Sequence, residues 1–282
     1  MTYRELLNKY KQICIEKNLE IEAIKLLILE LSNLDGASFL AHFDDQITLQ
    51  ELNKIENAIS KYVNELIPVQ HILGYTYFYG YKLKVSKDVL IPRCETEELV
   101  GYALEYYDEM FKGKKVSVCD IGTGSGAISI ALTKEEPNMN LYATDISNEA
   151  LLIAKENAKN NNANITFLQG DLLIPLIENN LKFDILVSNP PYIAYDDEVD
   201  NLVVNNEPHL ALFADDNGMA CYDKILSNAK KVLNTPNLIL FEHGYKQKEM
   251  MLALVNKYFP NASCEIIKDL SGNDRITVII NK

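Results

Sequence analysis

No stretch of this chain is apolar enough to cross a bilayer. The longest apolar runs, such as Leu26 to Leu29, fall far short of the roughly 20 residues a helical span needs. Basic charge is also scarce: 27 Lys and Arg stand against 40 Asp and Glu, a net charge of −13. Proteins that neutralise several phosphates usually carry a basic face. Nucleic acid is therefore disfavoured as the main partner, and so is an anionic membrane surface. Cysteine is sparse and unpaired in pattern. The five stand at positions 14, 94, 119, 221 and 264, with no C-x-x-C. That excludes a disulfide framework and fits reduced thiols. The opening MTYRELLNKY has no basic stretch followed by an apolar one. No secretory signal is visible, and a cytoplasmic location is expected.

What is present is ordinary for a globular protein: 282 residues, 48% hydrophobic and 24% charged. This length leaves room for two domains and a sizeable core. The first 66 residues read as helices. Thr2 to Glu5 and Thr48 to Glu51 have the form of capping boxes, and Ile47 and Leu52 are placed as a hydrophobic staple. Between them Ile21, Ile24, Leu27, Ile28 and Leu31 predict a helix over about 20–34, with Asp35-Gly36 as its stop and a short third helix over 37–43. Pro68 ends the fourth. From Tyr75, TYFYGYKLKV alternates around Gly80 and predicts a β-hairpin.

Beyond residue 93 strand and helix alternate. Strands are expected at 116–120, 141–145, 165–169, 183–188, 238–242, 264–269 and 275–280, and helices at 126–136, 147–160, 220–233 and 245–258. Most of these strands are continuous apolar runs, as in parallel strands covered on both faces. The reading is a doubly wound α/β sheet. Leu270 to Asp274 is too short for a crossover helix, so the last two strands should pair antiparallel. The expected domains are 1–74 (helical), 75–92 (a hairpin linker) and 93–282 (α/β).

The strongest local feature is Asp120-Ile121-Gly122-Thr123-Gly124-Ser125-Gly126 after the strand VSVCD. Its glycines permit a tight strand-to-helix turn and close approach of a ligand. Asp145 ends the next strand, where an acid can accept both hydroxyls of a ribose, and Asp171 follows the third. The pattern is G-x-G-x-G, not the dinucleotide G-x-G-x-x-G. Asp120 just before the loop is unfavourable to a pyrophosphate and suits a cationic sulfonium nucleoside. S-adenosyl-L-methionine is thus favoured over NAD, and a glycine-rich turn with no ligand is the plain alternative.

Ser188-Asn189-Pro190-Pro191-Tyr192 follows the strand FDILV. Prolines cannot continue a central strand, so the chain leaves the sheet here with a stiffened backbone. The Asn189 amide and the Pro190 carbonyl can then converge on one point, and Tyr192 offers a flat face. Such a corner suits a planar –NH2, whose two hydrogens need two acceptors. By itself, N-P-P-Y is equally a proline-kinked turn.

Together, D-I-G-T-G-S-G and N-P-P-Y resemble a class I methyltransferase that modifies amino groups. Pro68 to Gly74 (PVQHILG), Phe78-Tyr79-Gly80, and Val89 to Glu97 (VLIPRCETE) narrow the resemblance to the HemK-type (PrmC) peptide chain release factor N5-glutamine methyltransferases. Glu207-Pro208, Ala211-Leu212, Gly218, Glu242-His243-Gly244 and Asp274-Arg275 extend it over nearly the whole chain. It implies a seven-stranded doubly wound sheet with the last strand antiparallel and an N-terminal helical bundle that helps dock the release factor. It implies methyl transfer from S-adenosyl-L-methionine, leaving S-adenosyl-L-homocysteine, to the glutamine of the Gly-Gly-Gln motif of class 1 release factors. By position, Gly122, Thr123, Gly124, Ser125 and Gly126 would line the methionine part of the cofactor, Asp145 would hold the ribose, and Asp171 and Leu172 would border the adenine. Asn189, Pro190, Pro191 and Tyr192 would bind the target glutamine, with Asn189, Pro190 and Tyr192 as the catalytic group. Cys94 stands where the family usually has proline, and Leu172 where an aromatic is common.

Arg93 and Glu97 could shape the peptide channel or, with Glu95, form a surface ion-pair cluster. The four histidines are dispersed without metal-type spacing, so no metal is expected. The acidic stretch Asp196-Asp197-Glu198 could meet a basic partner or be a solvated face. A monomer without direct nucleic-acid or membrane contact is expected. The rival readings are a nucleic-acid adenine-N6 or guanine-N2 methyltransferase, which can use the same corner, and a non-catalytic release-factor-binding module.

Overall fold

A computed structural model describes residues 1–282. The chain divides into two compact units, Met1–Tyr75 with Asp200–Asn206, and Thr76–Val199 with Glu207–Lys282.

The first unit is helical: α1 Tyr3–Lys17, α2 Ile21–Ser32, α3 Gly36–Ala41, α4 Leu49–Glu65 and α5 Val69–Leu73. Thr2 and Glu5 form a complete capping box at α1. At α4 the box is half made. Thr48 accepts from the Glu51 amide, but the Glu51 carboxylate accepts from the Tyr3 hydroxyl, tying α4 to α1. Asp35-Gly36 is not a stop but a start: Asp35 caps α3, and Asn33 in the left-handed conformation ends α2. The apolar stripes meet in one core built on Leu6, Ile24, Leu27, Ile28, Ile55 and Ile59. Each such burial is worth about 1.5–3 kcal/mol. The short helix over 201–204 in Asp200–Asn206 belongs to this unit through Leu202 in that core and the Asn206 side chain, which donates to the Leu66 carbonyl at 2.8 Å. No sequence pattern signalled this excursion.

The second unit begins at Thr76, one residue into the hairpin formed by β1 Tyr75–Phe78 and β2 Tyr81–Lys84, which turns on Tyr79 and Gly80, both at positive φ. Its Phe78 and Leu83 are fully buried in the main core, so the hairpin is part of this unit's packing. Helix α6 Cys94–Phe111 follows. Then come β3 Val116–Ile121, α7 Ala127–Glu135, β4 Met139–Asp145, α8 Asn148–Asn160, β5 Ile165–Gln169, α9 Ile174–Glu178 and β6 Phe183–Ser188. After the excursion come α10 His209–Leu212, α11 Ala220–Ala229, β7 Leu233–Glu242, α12 Lys248–Tyr258, β8 Ser263–Lys268 and β9 Asp274–Asn281.

The seven strands β3–β9 form one sheet in the order β5-β4-β3-β6-β7-β9-β8. The first five run parallel, and β9 lies antiparallel to both β7 and β8. Alternate residues feed two cores: Val118, Leu238 and Leu240 pack with α6 and α7 on one face, while Cys119, Ile239 and Phe241 pack with α11 and α12 on the other. Because β3 and β6 are neighbours, the ends of β3, β4 and β6 open onto the crevice where the strand order reverses.

Candidate active site

A cavity of ≈ 420 Å³ lies at that crevice. The glycine loop forms one wall. The amides of Gly122 and Thr123 both donate to the Thr144 carbonyl at 2.9 Å, holding the loop against β4. Gly126 starts α7 at φ +84°, and a Cβ there would crowd the Ala154 Cβ at 3.2 Å, so only glycine lets α7 approach α8 this closely. A Cβ on Gly122 or Gly124 would meet no protein atom within 4 Å, so both present bare backbone to open space.

Asp120 is not on this wall. It is fully buried beneath the loop, where Oδ2 accepts from the Thr123 and Ser129 hydroxyls at 2.6 and 2.7 Å. Burial pushes its pKa up to about 6 against the pull of those two hydroxyls. Its Oδ1 has no hydrogen-bond partner. Asp145 does line the cavity. Its Oδ2 accepts from the Gly124 amide at 2.8 Å and its Oδ1 from the Ser147 amide at 2.9 Å. Burial raises its pKa, and the backbone amides oppose the rise. Thr123, Ser125, Asp171 and Leu172 complete this side. Leu172 sits at positive φ with its carbonyl accepting from the Thr144 hydroxyl at 3.0 Å.

The opposite side is the proline corner. The Ser188 hydroxyl donates to the Ile121 carbonyl at 2.6 Å and so ties the end of β6 to the start of the glycine loop. Asn189 and Pro191 line the cavity, while Pro190 is buried. The Asn189 Nδ2 donates to the Thr96 hydroxyl at 3.1 Å, and Thr96 in turn donates to Glu242 Oε2 at 2.7 Å. No protein donor takes the Asn189 Oδ1. Glu242 is only 2% exposed. Burial pushes its pKa up to about 7, with the Thr96 hydroxyl and the Arg275 charge opposing.

Tyr192, expected to offer a flat face to the ligand, does not line the cavity. Its ring packs with the core around α11 and α12, and its hydroxyl faces Glu242 Oε1 at 3.5 Å. Its carbonyl accepts from the Gln247 side chain at 2.8 Å, and Gln247 also bonds the Asn217 carbonyl and the Gly244 amide. Arg93 and Glu97 also stay off the cavity wall. Arg93 pairs with the buried carboxylate of Glu207, which also accepts from the Ile91 amide at 2.9 Å. Glu97 accepts from the Tyr79 amide in the hairpin turn. Thr96 and Gln247 are neighbours of the proline corner that sequence reasoning passed over. Thr96 stood inside the quoted VLIPRCETE, but nothing in a linear reading pairs it with Glu242. No cluster of three or more His, Cys, Asp or Glu side chains converges to hold a metal.

Comparison with known proteins bears on this arrangement. The PrmC N-terminal domain matches residues 5–74, and the Methyltransferase small domain matches residues 106–211. A release factor glutamine methyltransferase of Streptococcus pneumoniae is 39% identical over 281 residues, covering 99% of this chain and 98% of the relative. One from Lactococcus lactis subsp. lactis is 42% identical over 264 residues, covering 93% of this chain and 94% of the relative. Among solved structures, the hMettl16 catalytic domain in complex with the MAT2A 3′UTR hairpin 6 superposes with a TM-score of 0.53 over 84% of this chain and 86% of that one. At 16% identity that likeness shows the fold alone.

Proposed function

The chain belongs to the family of release factor glutamine methyltransferases, and we propose that it transfers a methyl group from S-adenosyl-L-methionine to the side-chain nitrogen of the Gly-Gly-Gln glutamine of class 1 peptide chain release factors. It acts as a cytoplasmic monomer, with the helical unit contributing to docking of the release factor and with no direct contact to nucleic acid or membrane. No helix of the chain is long and apolar enough to cross a membrane.

The cavity fits the cofactor. Bare backbone at Gly122 and Gly124 accommodates the methionine moiety, with Thr123 and Ser125 beside it and Gly126 fixing the turn. Asp145 keeps free lone pairs on both oxygens after accepting its two amide bonds, which suits the ribose hydroxyls. Asp171 and Leu172 border the adenine. The buried charge of Asp120 acts from beneath the loop and favours a cationic ligand over a pyrophosphate. S-adenosyl-L-methionine supplies an electrophilic methyl carbon.

The observation that carries the reading is the Asn189 carboxamide. Its nitrogen is already committed to Thr96, and its Oδ1 is left for a ligand. Asn189 Oδ1 and the Pro190 carbonyl accept the two hydrogens of the target amide, and Pro191 stiffens the backbone that aims them. Tyr192 backs the corner from the core side. Held in this way, the nitrogen lone pair points at the methyl carbon, and alignment supplies much of the acceleration. The N–C bond forms as the C–S bond breaks, its electrons staying on sulfur. The methylated nitrogen is acidic enough to lose its proton without a strong base. Arg93 and Glu97 hold the 89–97 wall in place through Glu207 and Tyr79. Peptide mass mapping of release factor after reaction tests this. A gain of one methyl on the Gly-Gly-Gln peptide is expected. Label from the cofactor entering nucleic acid alone would overturn it.

A further inference from the structure

The hydrogen-bond chain behind the cavity has a direction. Thr96 lies in the first turn of α6 at 5% exposure, and Glu242 ends β7 at 2%. A hydroxyl carries one proton, and Thr96 places it on Glu242 Oε2. Toward Asn189 the Thr96 oxygen can then only accept. The Asn189 amide must therefore turn its NH2 to Thr96 and its Oδ1 to the cavity. The target nitrogen, which offers only hydrogens, requires that orientation. The opposite orientation would set NH2 against NH2.

We propose that Thr96 and ionised Glu242 are positioning residues that fix which end of the Asn189 carboxamide faces the acceptor nitrogen; this rests on the methyl-transfer reading above. Neither touches the reacting atoms. Their effect passes through one hydrogen bond to Thr96 and from there to the amide.

The polarity of this chain depends on the charge of Glu242. A protonated Glu242 can donate to Thr96, freeing the Thr96 proton to bond Asn189 Oδ1 and reversing the amide. The groups facing Glu242 are Arg275 from β9, Glu95 from α6, Tyr192 from the proline corner and Tyr222 from α11. Arg275 favours the carboxylate and Glu95 opposes it. The Tyr222 hydroxyl is committed to the Glu242 backbone carbonyl at 2.6 Å. Burial outweighs Arg275 and brings the carboxyl to about 7, so both states are accessible near neutrality.

The test measures methylation of release factor by wild type, Thr96→Val, Thr96→Ser and Glu242→Gln, with cofactor affinity determined separately. Thr96→Val replaces the hydroxyl by a methyl of similar size. It should lower kcat by about tenfold, the worth of one positioned hydrogen bond, with cofactor binding unchanged. Thr96→Ser restores the hydroxyl and should recover most of that loss. Wild-type kcat should fall on the acid side of about 7, and Glu242→Gln should remove that limb. Wild-type kcat in Thr96→Val, a Thr96→Ser as impaired as Thr96→Val, or an acid limb persisting in Glu242→Gln would each overturn the positioning role alone. A wild-type chain that methylates no release factor would overturn the functional reading and this role with it.

Discussion

A side chain on Gly218 would run into the carbonyl oxygen of Tyr192. Gly218 sits at φ +80°, and the same Tyr192 carbonyl accepts from Gln247, so glycine, carbonyl and glutamine lock together behind the proline corner. The Gly218→Ala variant must push backbone apart, because the nearest obstacle is the Tyr192 carbonyl itself, and the Gln247 side-chain end beside it cannot relieve that clash by yielding. It is expected to displace the corner and abolish most methyl transfer. Gly272→Ala is the control: φ is +85° but a Cβ meets nothing within 4 Å, so it should cost only about 1–2 kcal/mol of backbone strain. Activity and Tm measured side by side check this. Equal activities in the two variants would show that the Gly218 contact does not hold the site.

In the proposed reading Asn189→Ala removes the oxygen that accepts from the target amide, while the glycine-loop side of the cavity stays intact. It is expected to lower the rate by on the order of 10²–10³, as for loss of a positioned group acting in the transition state. Cofactor affinity should stay near wild type, as a titration would show. A rate within a few-fold of wild type would remove Asn189 from the mechanism.

The sheet is legible in the sequence because parallel strands covered on both faces write themselves as apolar runs such as FDILV and LILF. The glycine-loop wall of the cavity is legible because Gly122, Gly124 and Asp145 stand where strands end. The helix α6 is not signalled: Arg93 makes no side-chain cap bond, and the acidic opening CETEE reads as a surface motif rather than a helix start. Nor is the support of Asn189. Thr96 and Glu242 are 146 residues apart, and only the packing of α6 against the end of β7 brings them together. Tyr192 shows the opposite error. Its aromatic ring suggested a stacking face, but the ring packs against the core with its hydroxyl facing Glu242, and it does not line the cavity.

Asp145→Ala should weaken cofactor binding more than it slows a saturated reaction. The carboxylate lines the cavity, where we propose it holds the ribose, and also accepts from the Gly124 amide, so its loss would remove that ligand contact and loosen the glycine loop at once. Isothermal titration with S-adenosyl-L-homocysteine measures it. An unchanged dissociation constant would place the ribose elsewhere.

Stability should carry the mark of the buried Glu242. Its folded pKa is about 7 against an ordinary 4.5, so the folded state holds the proton over a range where the unfolded chain has released it. The group therefore favours folding most at low pH, and that contribution is lost as pH rises from 4.5 through about 7. Glu242→Gln carries no titratable proton and can still accept from the Thr96 hydroxyl. The stability of the variant relative to wild type should thus shift in the variant's favour as pH rises across that window, by on the order of 1–3 kcal/mol. Arg275 limits the shift, since its charge compensates part of the carboxylate's burial in the wild type, while in the variant it keeps only its pairing with Asp269 at 3.1 Å. Thermal unfolding of both proteins on either side of the window measures the difference. A gap that stays constant, or that moves against the variant with rising pH, would mean that Glu242 is ionised in the folded state throughout and that Arg275 outweighs its burial.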